Sequence, residues 1–262
     1  MVRVDQQGQP NKTKPHKRPH KRPHKRRPKK RHKTGGFDLI SPLYDALAKL
    51  TFGGAILKAQ TLLLPELKGA RLALMIGGGT GEMLALALRA YPQLNVRYLE
   101  ASEGMIKRAK ARLSQEELAR VVWVHDVHLA LYERPALLDG VDTLITCFFL
   151  DVLSPSEARA LILWVGTHLR GPRGPRASIN AGRAPRWLLA DFQPHRGWRG
   201  ALISLMYAFF QLTAGLRNQR LADYRALLRE AGWAEFNSEC LAQSLIYSAR
   251  FKLLFEEDSS EA

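Results

Sequence analysis

Cysteine is nearly absent: Cys147 and Cys240 are the only two in 262 residues. That excludes a disulfide-stapled scaffold and suits a reducing compartment. No run of apolar residues is long enough for a membrane helix. The longest, ALISLMYAFFQLTAGL at 201–216, is interrupted by Ser204, Gln211 and Thr213, whereas a bilayer needs about 20 residues. The N-terminus lacks the apolar core of a secretory signal, so a soluble, cytoplasmic protein is expected. Acidic residues are almost missing from the first 36 positions, where fourteen Lys and Arg face Asp5 alone. The formal charge of +16 is therefore mostly local, because the other 226 residues carry 26 basic and 23 acidic side chains.

Residues 15–26 read PHKR three times in succession. Proline at every fourth position removes backbone donors, and the like charges repel, so residues 1–34 are expected to be a disordered basic tail. Residues 12–33 have the charge for non-specific contact with nucleic acid or an anionic membrane. They contain no aromatic residue to stack on a base, so sequence-specific binding is not expected there. The histidines His16, His20, His24 and His32 give at most a loose metal-binding tract. The last residues, 256–262, form a short acidic tail.

The remaining chain has mass enough for one α/β domain, spanning 35–255. Residues 35–68 have helical apolar spacing, broken at Pro42, Gly53-Gly54 and Pro65, and read as an N-terminal helical cap. Strands are expected at Leu72–Ile76, Val96–Glu100, Val121–His125, Asp142–Phe148 and Arg186–Phe192. Helices are expected at Glu82–Ala90, Glu103–Leu113 and Leu221–Ala231. Another should begin at Ser154, with Pro155 and Glu157 completing a capping box, and Ser114 with Glu117 repeats that signature. Alternation of this kind implies a doubly wound, mainly parallel sheet. WAEFNSEC and QSLIYSARF, separated by Leu241-Ala242 alone, lie too close for a parallel crossover, so they must close the seven-stranded sheet as an antiparallel hairpin.

A tight turn, Gly77-Gly78-Gly79-Thr80-Gly81, joins the first strand to the first helix. The dinucleotide fingerprint G-x-G-x-x-G is not met, because Glu82 stands where the third glycine belongs. A carboxylate there suits a helix N-terminus but would repel a diphosphate, so a phosphate-free ligand with a cationic centre fits better. Glu100 ends the second strand, where it can accept hydrogen bonds from a ribose diol, and Asp126 ends the third. Three such features at successive strand ends mark the ligand crevice of an open α/β sheet.

LALMIGGGTGEML, RYLEASEGMIKRAKARL, VVWVHDVH and DTLITCFFLDVLSP resemble, in order, the successive motifs of class I S-adenosylmethionine-dependent methyltransferases, loosely those of the ubiquinone and menaquinone branch. The resemblance runs from about Phe37 to Phe251. It implies a Rossmann-like methyltransferase fold with S-adenosyl-L-methionine as cofactor. Gly77, Gly79 and Gly81 would hold its methionine part, and Glu100 its ribose. Ala101 and Met105 would line the adenine, while Asp126 and Val127 would meet the adenine amino group. SPLYDAL resembles a helix that folds over the cofactor, so Tyr44 would face the methyl group. The chain departs from the pattern at Met75, where most members have an acidic residue two places before the first glycine.

The place after the fourth strand reads CFFLDVL. It lacks the Asn/Asp-Pro-Pro-aromatic motif of base amino methylation, and the chain lacks the Pro-Cys nucleophile of cytosine C5 enzymes. Residues 193–218 are long, apolar and aromatic, and are expected to form a lid over a partly hydrophobic small acceptor methylated at oxygen or carbon. The candidate bases are His125, His128, Asp151 and His195, with His128 and Asp151 foremost; Asp191 also ends a strand and points toward the acceptor. Residues 170–186 are expected to be a surface loop carrying Arg170, Arg173, Arg176, Arg183 and Arg186. The alternatives are an RNA or protein methyltransferase docking through the tail, a non-catalytic cofactor-fold protein, and, more distantly, a nicotinamide dehydrogenase. No metal site is expected in the domain, and the sequence leaves the oligomeric state open.

Overall fold

The computed structural model describes residues 54–171, 184–193, 221–242 and 245–255. The basic tail, Tyr44, the cap before Gly54, the expected lid after Gln193 with His195, and the acidic C-terminal residues lie outside them.

The strands are β1 (Leu72–Ile76), β2 (Asn95–Glu100), β3 (Val121–His125), β4 (Thr143–Cys147), β5 (Arg186–Phe192), β6 (Trp233–Leu241) and β7 (Ile246–Leu253). They form one seven-stranded sheet in the order β3-β2-β1-β4-β5-β7-β6. The first five pair in parallel, and β7 runs antiparallel between β5 and β6. The hairpin is as expected, with its loop moved on: Leu241 is still strand, and the connection begins at Ala242.

The helices are α1 (Ala55–Thr61), α2 (Glu82–Ala90), α3 (Glu103–Ala111), α4 (Gln115–Leu118), α5 (Ala130–Glu133), α6 (Pro155–Arg170) and α7 (Tyr224–Glu230). Strand alternation sends Leu74 and Ile76 to one face of the sheet, where they pack with Leu161, Ile162 and Val165 of α6 and Leu228 of α7. It sends Ala73 and Met75 to the other, against Ala59 of α1, Met83 and Leu84 of α2, and Ala109 of α3. Both faces of β1 are thus covered, which is why its sequence reads as a continuous apolar run rather than an alternation.

Both capping boxes form. The Ser154 side chain accepts from the Glu157 amide and the Ser114 side chain from the Glu117 amide, and in each the glutamate carboxylate accepts in return from the serine amide. The expected arginine loop is shortened from both ends. Arg170 closes α6 and donates to the carbonyls of Ala231, Gly232 and Leu254, while Arg186 opens β5 and pairs with Glu66. Arg173, Arg176 and Arg183 lie outside the described residues. The outer strand β6 breaks register with β7 between Glu235 and Asn237. The skipped residue, Phe236, is 43% exposed, and the Arg186 guanidinium lies over its ring at 5.4 Å. No helix among the described residues is long and apolar enough to cross a membrane.

Ser154→Ala removes the oxygen that accepts from the Glu157 amide and should cost about 1 kcal/mol. Urea unfolding checks this: the midpoint should fall while the m-value stays unchanged.

Candidate active site

The parallel strands end in register at one edge of the sheet. Ile76 lies beside Leu99 and Thr146, Glu100 beside His125, and Cys147 beside Ala190. The glycine turn leaves β1 at this edge. Gly77, Gly79 and Gly81 have φ of +66°, +61° and +77°, a region costly for residues with a Cβ. Space divides their roles further. A Cβ on Gly77 would meet the Phe149 ring, one on Gly78 the Tyr98 ring, and one on Gly81 the backbone and side chain of Ala109 on α3. A Cβ on Gly79 would meet nothing within 4 Å. Gly77, Gly78 and Gly81 are therefore required by packing, while Gly79 keeps an open approach to the backbone.

Glu100 holds this turn. Its Oε2 accepts from the Gly79 amide at 3.0 Å and its Oε1 from the Ser102 amide at 2.9 Å. Burial raises its pKa, opposed by the amides of Ser102, Gly79 and Ala101 and by His125. The Tyr98 hydroxyl donates to the Gly79 carbonyl at 2.7 Å, and Arg112 Nε donates to the Thr80 carbonyl at 2.8 Å. The Glu100 carboxylate retains acceptor capacity beyond these amides. A vicinal diol, which offers two donors, fits that remaining capacity beside the open face of Gly79.

The neighbouring residues lie along the same edge. Ser102 caps α3 by accepting from the Met105 amide at 3.1 Å, which sets Met105 in the first helical turn. Ala101 offers its carbonyl to His125 Nε2 at 3.0 Å. Asp126 Oδ1 accepts from the Val127 amide and Oδ2 from Arg134 at 2.8 Å, so part of its capacity is already engaged. Met75 is buried in the apolar layer beneath α2 and α3, where an ionised carboxylate would be costly.

On the other side of β1, the chain leaving β4 turns sharply. Phe148 has φ +53°; its amide donates to the Ala190 carbonyl at 2.7 Å and its ring meets Phe192 edge-on at 5.1 Å. Phe149 follows, against Gly77 and 6.0 Å from the His128 ring. Asp151 is buried in the 3-10 turn Leu150–Val152. Asp191, expected to face the acceptor, is instead fully buried with its carboxylate engaged by backbone. Its Oδ2 accepts from the Leu150 amide at 3.0 Å and its Oδ1 from the Phe192 amide at 2.8 Å. Burial, followed by repulsion from Asp151, pushes the Asp191 carboxyl well above its ordinary range. Burial and the Asp191 charge push the Cys147 thiol up to about 12, the direction expected of a buried thiol.

The structure thus gathers Gly77, Gly79, Gly81, Glu100, Ala101, Met105, Asp126, Val127, His128 and Asp151 at one edge of the sheet, while Tyr44 lies outside the described residues. Sequence reasoning missed Tyr98, Arg112 and Phe149. Tyr98 alternates with Leu99 toward the α2–α3 side, a signal that was available; nothing in the spacing of Arg112 points to Thr80.

Residues 74–171 match the family model described as a methyltransferase domain. The matched segment runs from β1 through α6 and includes the glycine turn and Glu100. No curated protein matches the chain in sequence. Similar solved structures include the mitomycin 7-O-methyltransferase MmcR, with 18% identity and TM-score 0.57 over 84% of this chain and 60% of that one. Another is the 1,6-didemethyltoxoflavin-N1-methyltransferase of Burkholderia thailandensis with 1,6-didemethyltoxoflavin and S-adenosylhomocysteine bound, at 16% identity and TM-score 0.54 over 85% and 88%. A third is human N-acetylserotonin methyltransferase in complex with SAM, at 17% identity and TM-score 0.52 over 82% and 60%. The chain spans about three-fifths of the length of the first of these.

The raised pKa of Asp191 means that the folded domain holds a proton there which the unfolded chain releases at a lower pH. Its contribution to stability is complete below the unfolded value, near 3.8, and is lost as pH rises through the folded one. Asp191→Asn should therefore flatten the decline of stability with rising pH above about pH 4. Urea midpoints across that range, for both proteins, check the slope.

Proposed function

We propose that the chain transfers a methyl group from S-adenosylmethionine to a small, partly hydrophobic acceptor, at oxygen or carbon. The observation that carries this reading is the glycine turn closed by Glu100, with Gly79 alone left open. The remaining acceptor capacity of Glu100 beside the open Gly79 backbone matches a ribose diol, and Glu82 at the start of α2 disfavours a diphosphate in the same place. When bound, the cofactor supplies an electrophilic methyl group on a sulfonium.

The residues of the chain then have separable tasks. Gly77 and Gly81 let the turn close against Phe149 and α3 around the methionine part, Gly79 gives that part access to the backbone, and Glu100 accepts from the ribose. Ala101 and Met105 line the adenine, with Asp126 and Val127 at its amino group. Positioning the acceptor in line with the methyl group is the larger part of such catalysis. His128, Asp151 and Tyr44 are the groups proposed to meet the acceptor or receive its proton. The relatives named in their structures as acting on mitomycin, 1,6-didemethyltoxoflavin and N-acetylserotonin support a small-molecule acceptor over nucleic acid. So does the absence of a Pro-Pro-aromatic motif after β4.

Calorimetric titration of the full chain with S-adenosylmethionine, S-adenosylhomocysteine and NAD tests the reading. Binding of the first two and not the third is expected; binding of neither would overturn it. Glu100→Gln should weaken binding about tenfold to a hundredfold, the equivalent of losing charge-assisted bonds of about 1.5–3 kcal/mol. Gly79→Ala should cost about 1 kcal/mol of stability for its left-handed backbone. Because its methyl group enters the open approach, it should also reduce S-adenosylhomocysteine affinity by more than that strain accounts for.

A further inference from the structure

Phe148 occupies the left-handed region at φ +53°, which a bulky aromatic residue rarely adopts without being held there. The contacts that hold it come from β5. The Ala190 carbonyl accepts from the Phe148 amide, and the next residue, Asp191, accepts from the Leu150 amide two residues further along the same turn. The second oxygen of Asp191 is fixed by the Phe192 amide, so the carboxylate cannot swing away. Between the two held residues lies Phe149, whose ring occupies the space above Gly77.

We propose that Asp191 is a positioning residue for the cofactor site, acting through the turn after β4 to seat Phe149 against Gly77. This rests on the reading of the glycine turn as the methionine-binding end of a cofactor site. Burial of a carboxylate that never meets solvent is otherwise hard to account for, since an apolar residue of similar size would avoid its desolvation cost. Among the described residues, the titratable groups that face it are Asp151 from the turn, Cys147 from β4, Tyr224 from α7 and Tyr247 from β7. None of these is a cation, and what its oxygens engage there is backbone amides. The bonds therefore serve the turn, and the turn serves the wall of the site.

The test uses S-adenosylhomocysteine binding by the full chain. Asp191→Asn, which turns a donating side-chain NH2 toward one of the two backbone N–H groups, should weaken binding about tenfold. Adding Phe148→Gly, which adopts positive φ without strain, should restore most of that loss. Phe148→Gly alone should bind within about threefold of wild type. Restoration is the decisive readout, because a general loss of packing would not be repaired by also removing an aromatic ring. Wild-type affinity in Asp191→Asn, or an unrestored double variant, overturns the proposal. Phe149→Ala is an independent arm that leaves the carboxylates untouched: it should lose a similar factor, and unchanged binding would also overturn the proposal. If the wild-type chain itself binds neither S-adenosylmethionine nor S-adenosylhomocysteine, the cofactor reading has failed, a result distinct from any of these.

Discussion

One carboxylate ties the candidate site together. Glu100 stands at the end of β2, and its two oxygens hold the Gly79 amide of the turn after β1 and the Ser102 amide ahead of α3. Two chain reversals that are distant in sequence are thereby set against each other. Everything else at the glycine turn follows from that distance. Tyr98 can reach the Gly79 carbonyl, Arg112 can reach Thr80, and α3 approaches Gly81 so closely that no side chain fits between them. The interaction also leaves acceptor capacity free where the backbone is open. A strand-end glutamate is thus both a structural clamp and the natural partner for a diol.

The opposite wall is built by different means. There the chain after β4 is forced through a left-handed aromatic residue, and a buried aspartate on the neighbouring strand holds the result. Buried carboxyls near one another, such as Asp151 and Asp191, repel when both are ionised. A fold that retains them accepts lower stability at higher pH in exchange for a fixed turn. The two walls meet at Gly77, whose missing side chain makes room for Phe149.

Much of this was legible in the sequence because its signals are local. Caps such as Ser154 with Glu157, the apolar run of β1, and the short interval before β7 each follow from chemistry within a few residues. The glycine spacing and the acidic strand ends were legible for the same reason. The roles of Asp191, Arg112 and Arg134 were not. Asp191 reads as a strand-end acid facing a ligand, yet its partners are amides reached across the sheet and at its own C-terminal neighbour. Arg134 engages Asp126 only because the intervening chain folds into α5, a four-residue helix too short to leave a periodic pattern. The positive φ of Phe148 has no sequence signal at all, since nothing about an aromatic pair announces a conformation that both residues disfavour.

The register break in β6 has a consequence for the molecule's life in a crowded solution. An outermost strand exposes a row of unpaired amides and carbonyls that a second chain could adopt as a template. The skip at Phe236 kinks that row, and the guanidinium over the exposed ring sets a positive charge where a flat, oily edge would otherwise invite another strand. An irregularity that looks like imperfect pairing is, on this view, what discourages the sheet from growing beyond its own chain.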